Sequence, residues 1–83
     1  MKNMTRTEIE EKIKAFLVDE LEIDEEKVLP DAKLKNDMGI DSLDFVDIIA
    51  VVKRNFGFRI KLEDITNVTT LSQLCDYIEG KIS

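Results

Sequence analysis

Gly39-Ile40-Asp41-Ser42-Leu43-Asp44-Phe45-Val46-Asp47-Ile48-Ile49-Ala50-Val51-Val52-Lys53-Arg54-Asn55-Phe56-Gly57 is the stretch on which the fold turns. Nothing between its two glycines breaks a helix. At 100° per residue, Phe45, Ile48, Ile49, Val52 and Phe56 gather within about a third of the circumference, which marks a core face. The spacing predicts a helix from Ser42 to about Phe56, with Gly57 as its C-cap. Leu43, Val46 and Ala50 fall together on a different flank, with Asp44 and Asp47 beside them. Two readings fit that flank: it packs beneath a neighbouring loop, or it stands exposed as a docking surface.

Upstream, a connection from about Ile23 to Asp41 holds Pro30 and Gly39. Its Val28, Leu29, Leu34 and Met38 recur at intervals that would anchor it in a core, so it reads as an ordered loop. Before it, Ile9, Ile13, Phe16, Leu17 and Leu21 form the stripe of a helix from about Glu8 to Leu21, with Thr7 and Glu10 as a capping box. Glu20 projects close to that stripe, so the far end is expected to turn. Downstream, a short helix is expected around Leu62 to Thr66. A last helix opens at Thr70, whose partner Gln73 completes another capping box, and carries Leu71, Leu74, Cys75, Ile78 and Ile82 on one face. The expected fold is all-α: a small four-helix bundle of three longer helices and a short third one, with a long ordered loop between the first and second. A chain of 83 residues fits a single domain, 1-83, and one this short buries only about 60% of its unfolded surface.

Composition narrows the function. Eighteen acidic residues against twelve basic ones give a net charge of −6, a poor match to nucleic acid and a better one to basic patches on proteins. The chain has no histidine, so Ser-His and Cys-His nucleophiles and histidine metal sites are excluded, and its single cysteine can form no internal disulfide. Cys75, on the apolar stripe of the last helix, reads as a small buried hydrophobe. No apolar run approaches the roughly 20 residues of a membrane span, and Met1-Lys2-Asn3-Met4-Thr5-Arg6 leads into a charged stretch rather than a signal sequence, so a cytoplasmic protein is expected. The spacing of Asp37, Asp41 and Asp44 lacks the glycine and terminal glutamate of a calcium loop.

Ser42 stands where loop becomes helix. A serine there serves as an N-cap, or, with the free amides and dipole of a helix start beside it, as the acceptor of a phosphate ester. Asp41 could help hold Mg²⁺ while another enzyme transfers the group. As a nucleophile it has no histidine to take its proton.

At this point the sequence resembles the acyl carrier proteins of fatty-acid and polyketide synthesis. The resemblance is carried by Asp41-Ser42-Leu43-Asp44 preceded by Gly39, by Ile9-Glu10-Glu11-Lys12-Ile13 at the opening of the first helix, and by Val28, Leu34, Val46, Phe56, Ile60 and Ile78, in a register without gaps from about Ile9 to Ile78. It implies that the protein is not an enzyme. Ser42, flanked by Asp41 and Leu43, would carry a 4′-phosphopantetheine arm installed from coenzyme A by a phosphopantetheinyl transferase, and the arm's thiol would hold acyl groups as thioesters. It implies docking of acyl-transferring and chain-elongating enzymes whose basic patches would meet Asp41, Asp44 and Asp47, with Leu43, Val46 and Ala50 as the apolar contact and Arg54 also on the partner-binding surface. It implies an acyl cavity lined by Phe45, Ile49, Val52, Ile60, Ile65 and Val68 and no resident metal; the apolar stripes can be satisfied within one small core, so a monomer is expected, and charge and apolar-run length argue against nucleic acid and membrane. Peptidyl and D-alanyl carriers share the pattern, though Asp41 before the serine favours the fatty-acid and polyketide type. An unmodified adaptor that binds a partner through the second helix is the reading from another class.

Two departures from the family pattern stand out. Lys53-Arg54-Asn55 stands where housekeeping members are typically acidic, and Arg59 and Lys61 follow, which suggests a dedicated pathway. Phe45 replaces a typically small residue beside the acyl cavity, which suggests a shorter or differently shaped cargo, or a chain left outside the bundle.

Overall fold

A computed structural model describes residues 5–82; residues 1–4, the start of the lead-in and of the 1-83 domain read above, and Ser83 lie outside the described residues. Four helices follow one another: α1 (Arg6–Asp19), α2 (Ser42–Phe56), α3 (Leu62–Thr66) and α4 (Leu71–Ile82), with one 3₁₀ turn (Glu25–Lys27) in the long loop. α1 packs against α4 and α2 against α3. No strand occurs among the described residues, so the fold is the small helical bundle expected.

α1 begins two residues earlier than the sequence suggested. Thr5, not Thr7, is the N-cap: its hydroxyl accepts from the Glu8 amide at 3.1 Å, and Glu8 Oε1 accepts from the Thr5 amide at 3.0 Å. Both threonines have a glutamate three residues on, so spacing alone cannot choose. Tertiary contact does: the earlier start places Arg6 in the first turn, where its guanidinium pairs with Glu10 at 2.9 Å, with Glu79 at 3.1 Å and with Asp76, and donates to the Ser72 carbonyl at 3.2 Å. Arg6 therefore ties α1 to α4, and these acceptors push its pKa further up, Asp76 foremost. The other end also differs. α1 stops at Asp19 and Glu20 caps it, so Leu21 lies beyond the helix, where the Leu21 amide reaches back to Phe16 and the chain turns through Glu22 at φ 56°.

In the loop Val28, Leu34 and Met38 are buried as expected, joined by Ile23, Ala32 and Ile40. Leu29 is the exception at 56% exposed. It opens a tight turn in which the Ala32 amide donates to its carbonyl at 3.0 Å, and that turn buries Ala32 while Leu29 stays outside. Backbone bonds then sew the loop to the start of α4: Leu34 N–H to the Thr69 carbonyl at 2.9 Å, Leu71 N–H to Ala32 at 3.1 Å and Ser72 N–H to Pro30 at 2.9 Å. Thr70 and Gln73 form the expected box there, with the Gln73 amide donating to the Thr70 hydroxyl at 3.2 Å.

α2 runs over the predicted residues, and Gly57, at φ 82°, closes it by donating to the Lys53 carbonyl at 3.0 Å. A left-handed residue is needed to end the helix this way, and glycine adopts it without steric cost. Its buried residues are Phe45, Ile48, Val51 and Val52, whereas Ile49 and Phe56, assigned above to the core face, are half-buried. The difference arises because α2 is packed on more than one side: Val51 lies with Phe16 of α1, and Ile49 lies at the open edge toward α3.

Candidate functional site: the start of α2 and its exposed flank

The loop-to-helix junction is fixed from beneath. Gly39 takes φ 72°, and the next residue, Ile40, is 2% exposed and donates its amide to the Leu34 carbonyl at 2.9 Å. Met38 and Phe45 are buried on either side of the junction. Asp41 then caps α2: its Oδ1 accepts from the Asp44 amide at 3.1 Å, and Asp44 Oδ2 accepts from the Asp41 amide at 3.3 Å. The N-cap role that a serine at this place could have played is thus filled by its neighbour. Ser42 is the first helical residue, exposed, with its hydroxyl left out of the capping pair. The box also consumes the Asp41 and Asp44 amides, leaving those of Ser42 and Leu43 as the amides at the positive end of the helix without an acceptor among the described residues.

The flank beyond Ser42 faces solvent. Leu43 is 77% and Val46 53% exposed; Asp47, Ala50 and Arg54 are exposed and Asp44 half-buried. The long loop does not cover Leu43 or Val46, which decides between the two readings of this flank in favour of exposure. Beside it, Val46, Ile49, Ile60 and Leu62 line an open apolar groove between α2 and the segment leading into α3, bordered by Arg59, Lys61 and Glu63. Of the residues expected to line an acyl cavity, Ile49 and Ile60 meet in this groove. Phe45, Val52 and Ile65 are packed in the core at 1%, 0% and 0% exposure, with the Lys35 ammonium over the Phe45 ring. Val68 is half-buried in a separate depression with Asp64, Asn67 and Tyr77. Leu62, 55% exposed, escaped the sequence reading, because a helix of five residues is too short for periodicity to reveal a face.

An exposed serine at the start of α2, beside an exposed apolar flank, is the feature on which comparison with known proteins bears. The protein family described as "Phosphopantetheine attachment site" matches residues 11–78. The chain is 38% identical over 80 residues to an acyl carrier protein of Thermosynechococcus vestitus, covering 96% of this chain and 99% of that one. It is 36% identical over 78 residues to an acyl carrier protein of Thermotoga maritima, covering 94% and 96%. The chain therefore belongs to the acyl carrier protein family, whose prosthetic group is a covalently attached 4′-phosphopantetheine and whose members carry groups rather than catalyse.

The junction fits such a group. A phosphodiester needs an accessible hydroxyl and gains from unbonded amides at a helix start, and both are present. The carboxylates of Asp41 and Asp44 oppose an anion there, a repulsion that the high dielectric constant of water weakens at this exposed junction.

Proposed function

We propose that Ser42 bears the 4′-phosphopantetheine and that the protein presents acyl groups to the enzymes of fatty-acid, polyketide or a related specialised pathway. The observation that carries this reading is the division of labour at the α2 start, where Asp41 caps the helix and the adjoining Ser42 hydroxyl is exposed. When bound, the group supplies a terminal thiol that can hold an acyl chain as a thioester. The chain's own residues do the rest. The first turn of α2 offers its positive dipole end to the phosphodiester, and Leu43, Val46 and Ala50 offer an apolar contact edged by Asp41, Asp44 and Asp47. The Asp41 oxygen outside the capping bond is available to Mg²⁺ during transfer by the phosphopantetheinyl transferase. Phe45, filling the core one turn after the serine, supports a short cargo or one held in the outer groove along Ile49 and Ile60.

Intact mass after incubation with coenzyme A, Mg²⁺ and a broad-specificity phosphopantetheinyl transferase tests the assignment. The expected result is a gain of one phosphopantetheine by the native chain and none by Ser42→Ala. No gain by the folded native chain, with several transferases, would leave an adaptor that binds through α2.

A further inference from the structure

Charge is distributed lengthwise on the α2 side of the molecule. Asp41, Asp44 and Asp47 occupy the Ser42 end and Lys53 and Arg54 the other, while Arg59 and Lys61 line the groove beside Val46 and Ile49, all four cations exposed and outside the ion pairs found among the described residues. The apolar Leu43 and Val46 lie among the acids and Ala50 between them and Lys53, and Leu62 borders the adjoining groove. The negative C-terminal end of a helix accounts for Lys53 and Arg54 in its last turn. It does not account for Arg59 and Lys61, which lie beyond Gly57 on the rim of the groove.

We propose that this is a bipolar docking surface, and that its partner is a protein presenting basic groups toward the Ser42 end and an acidic patch toward Lys53, Arg54, Arg59 and Lys61. Along α2 the acids stand about 14–20 Å from Lys53 and Arg54, the length of helix from Asp44 to Lys53 or from Asp41 to Arg54 at 1.5 Å per residue. A net charge of −6 attracts a wholly basic face from a distance, but on contact the basic block opposes it, because juxtaposed like charges discriminate against a partner more strongly than rim pairs attract one. The arrangement thereby fixes which way round the partner lies on α2. It rests on the carrier reading in one respect, that a partner has to approach the Ser42 end. A second copy laid antiparallel would also match charges, yet two chains of −6 repel, which favours a different protein.

The test uses the full unmodified chain and two designed helical peptides of equal length with the same apolar middle, one carrying a Lys block and a Glu block, the other Lys in both. At low ionic strength the bipolar peptide is expected to bind about fivefold more tightly, since each exposed pair adds a small increment and several act together. Its amide shifts should fall on α2 and on 58–63. Arg59→Glu with Lys61→Glu, which leaves the long helices untouched, should reverse the order of the two peptides. Equal affinities, a preference for the all-Lys peptide, or shifts outside that surface would overturn the proposal, as would a dimer in sedimentation that the same double substitution dissolves. The Ser42 mass measurement is independent: an unmodified Ser42 with the peptide order intact would sink the carrier reading alone.

Discussion

Where α1 meets α4, a single guanidinium is shared among Glu10, Asp76, Glu79 and the Ser72 carbonyl. Where α2 meets α3, four cations lie outside the ion pairs of the described residues and three large hydrophobics, Leu43, Val46 and Leu62, stand more than half exposed. Beneath both lies the same apolar core, so the contrast belongs to the surface. Charges paired within the chain hold elements together, while charges and apolar groups left over are free to meet something else. The α1–α4 side turns its charges inward on the bundle, and the α2–α3 side leaves charges and apolar groups outward, as the proposed docking requires.

The largest effect that could break this division comes from leucines on the two sides. Leu74 is fully buried and Leu43 is 77% exposed. Leu74→Ala should cost about 2–5 kcal/mol through lost transfer energy and the cavity left behind, a large share of the stability of a domain this small. Leu43→Ala should stay within about 0.5 kcal/mol. Urea unfolding of both variants measures this, and similar losses would mean that the exposed flank is structural after all.

Next in size is the guanidinium. Arg6→Ala removes a half-buried donor from three carboxylates and a carbonyl, and should cost about 1–2 kcal/mol. Arg6→Lys should recover part of it, because an ammonium lacks the fork that reaches several acceptors at once. Lys53→Ala and Arg54→Ala, made as controls, should leave the unfolding midpoint nearly unchanged. A loss at Lys53 equal to that at Arg6 would show the basic block to be a stabilising element.

At the junction itself the comparison narrows to adjacent residues. Asp41→Ala should cost about 1 kcal/mol by removing the cap of α2, and Ser42→Ala no more than a few tenths, since its hydroxyl is not in that pair. Thermal unfolding of the two variants separates a structural aspartate from a functional serine. Equal losses would return Ser42 to the role of a cap.

Much of this was legible in the sequence. α2 and α4 were readable because each has a punctuating signal of its own, Gly57 for the end of α2 and Thr70 with Gln73 for the start of α4, and the short α3 falls where it was expected, at Leu62–Thr66. α1 was misplaced by two residues because two threonines satisfied one pattern, and the deciding partner of Arg6 lies 70 residues away, beyond the reach of local spacing. The exposure of Leu43 and Val46 could not be read, since whether a loop covers a helix flank depends on where the loop is tied, here to α4 through Pro30, Ala32 and Leu34. Of the residues assigned to an acyl cavity, Ile49 and Ile60 share a groove while Phe45, Val52 and Ile65 are core. All five are apolar, and an apolar pattern does not distinguish a cavity wall from a packed interior.

The smallest effect sharpens the closed side. Cys75 is fully buried on α4, and that burial pushes its thiol from an ordinary 9.0 up to about 11, with the nearby Arg6 pulling the other way. In the unfolded chain the thiol loses its proton first as pH rises, so above pH 9 the unfolded state binds fewer protons than the native one. Stability from this group is therefore complete below pH 9 and declines between about 9 and 11. Tyr77, held protonated by burial and by its 2.9 Å bond to Asp64, slopes the same way, so the comparison has to be with a variant lacking the thiol. Cys75→Ala should lose less stability than the native chain across that window. Near neutral pH the native thiol should resist alkylation until urea exposes it. Rapid labelling of the folded chain would mean that the α1–α4 seam opens readily. Arg6→Ala would then be the variant to label next, because a faster rate there would trace the opening to the guanidinium that bridges the two helices.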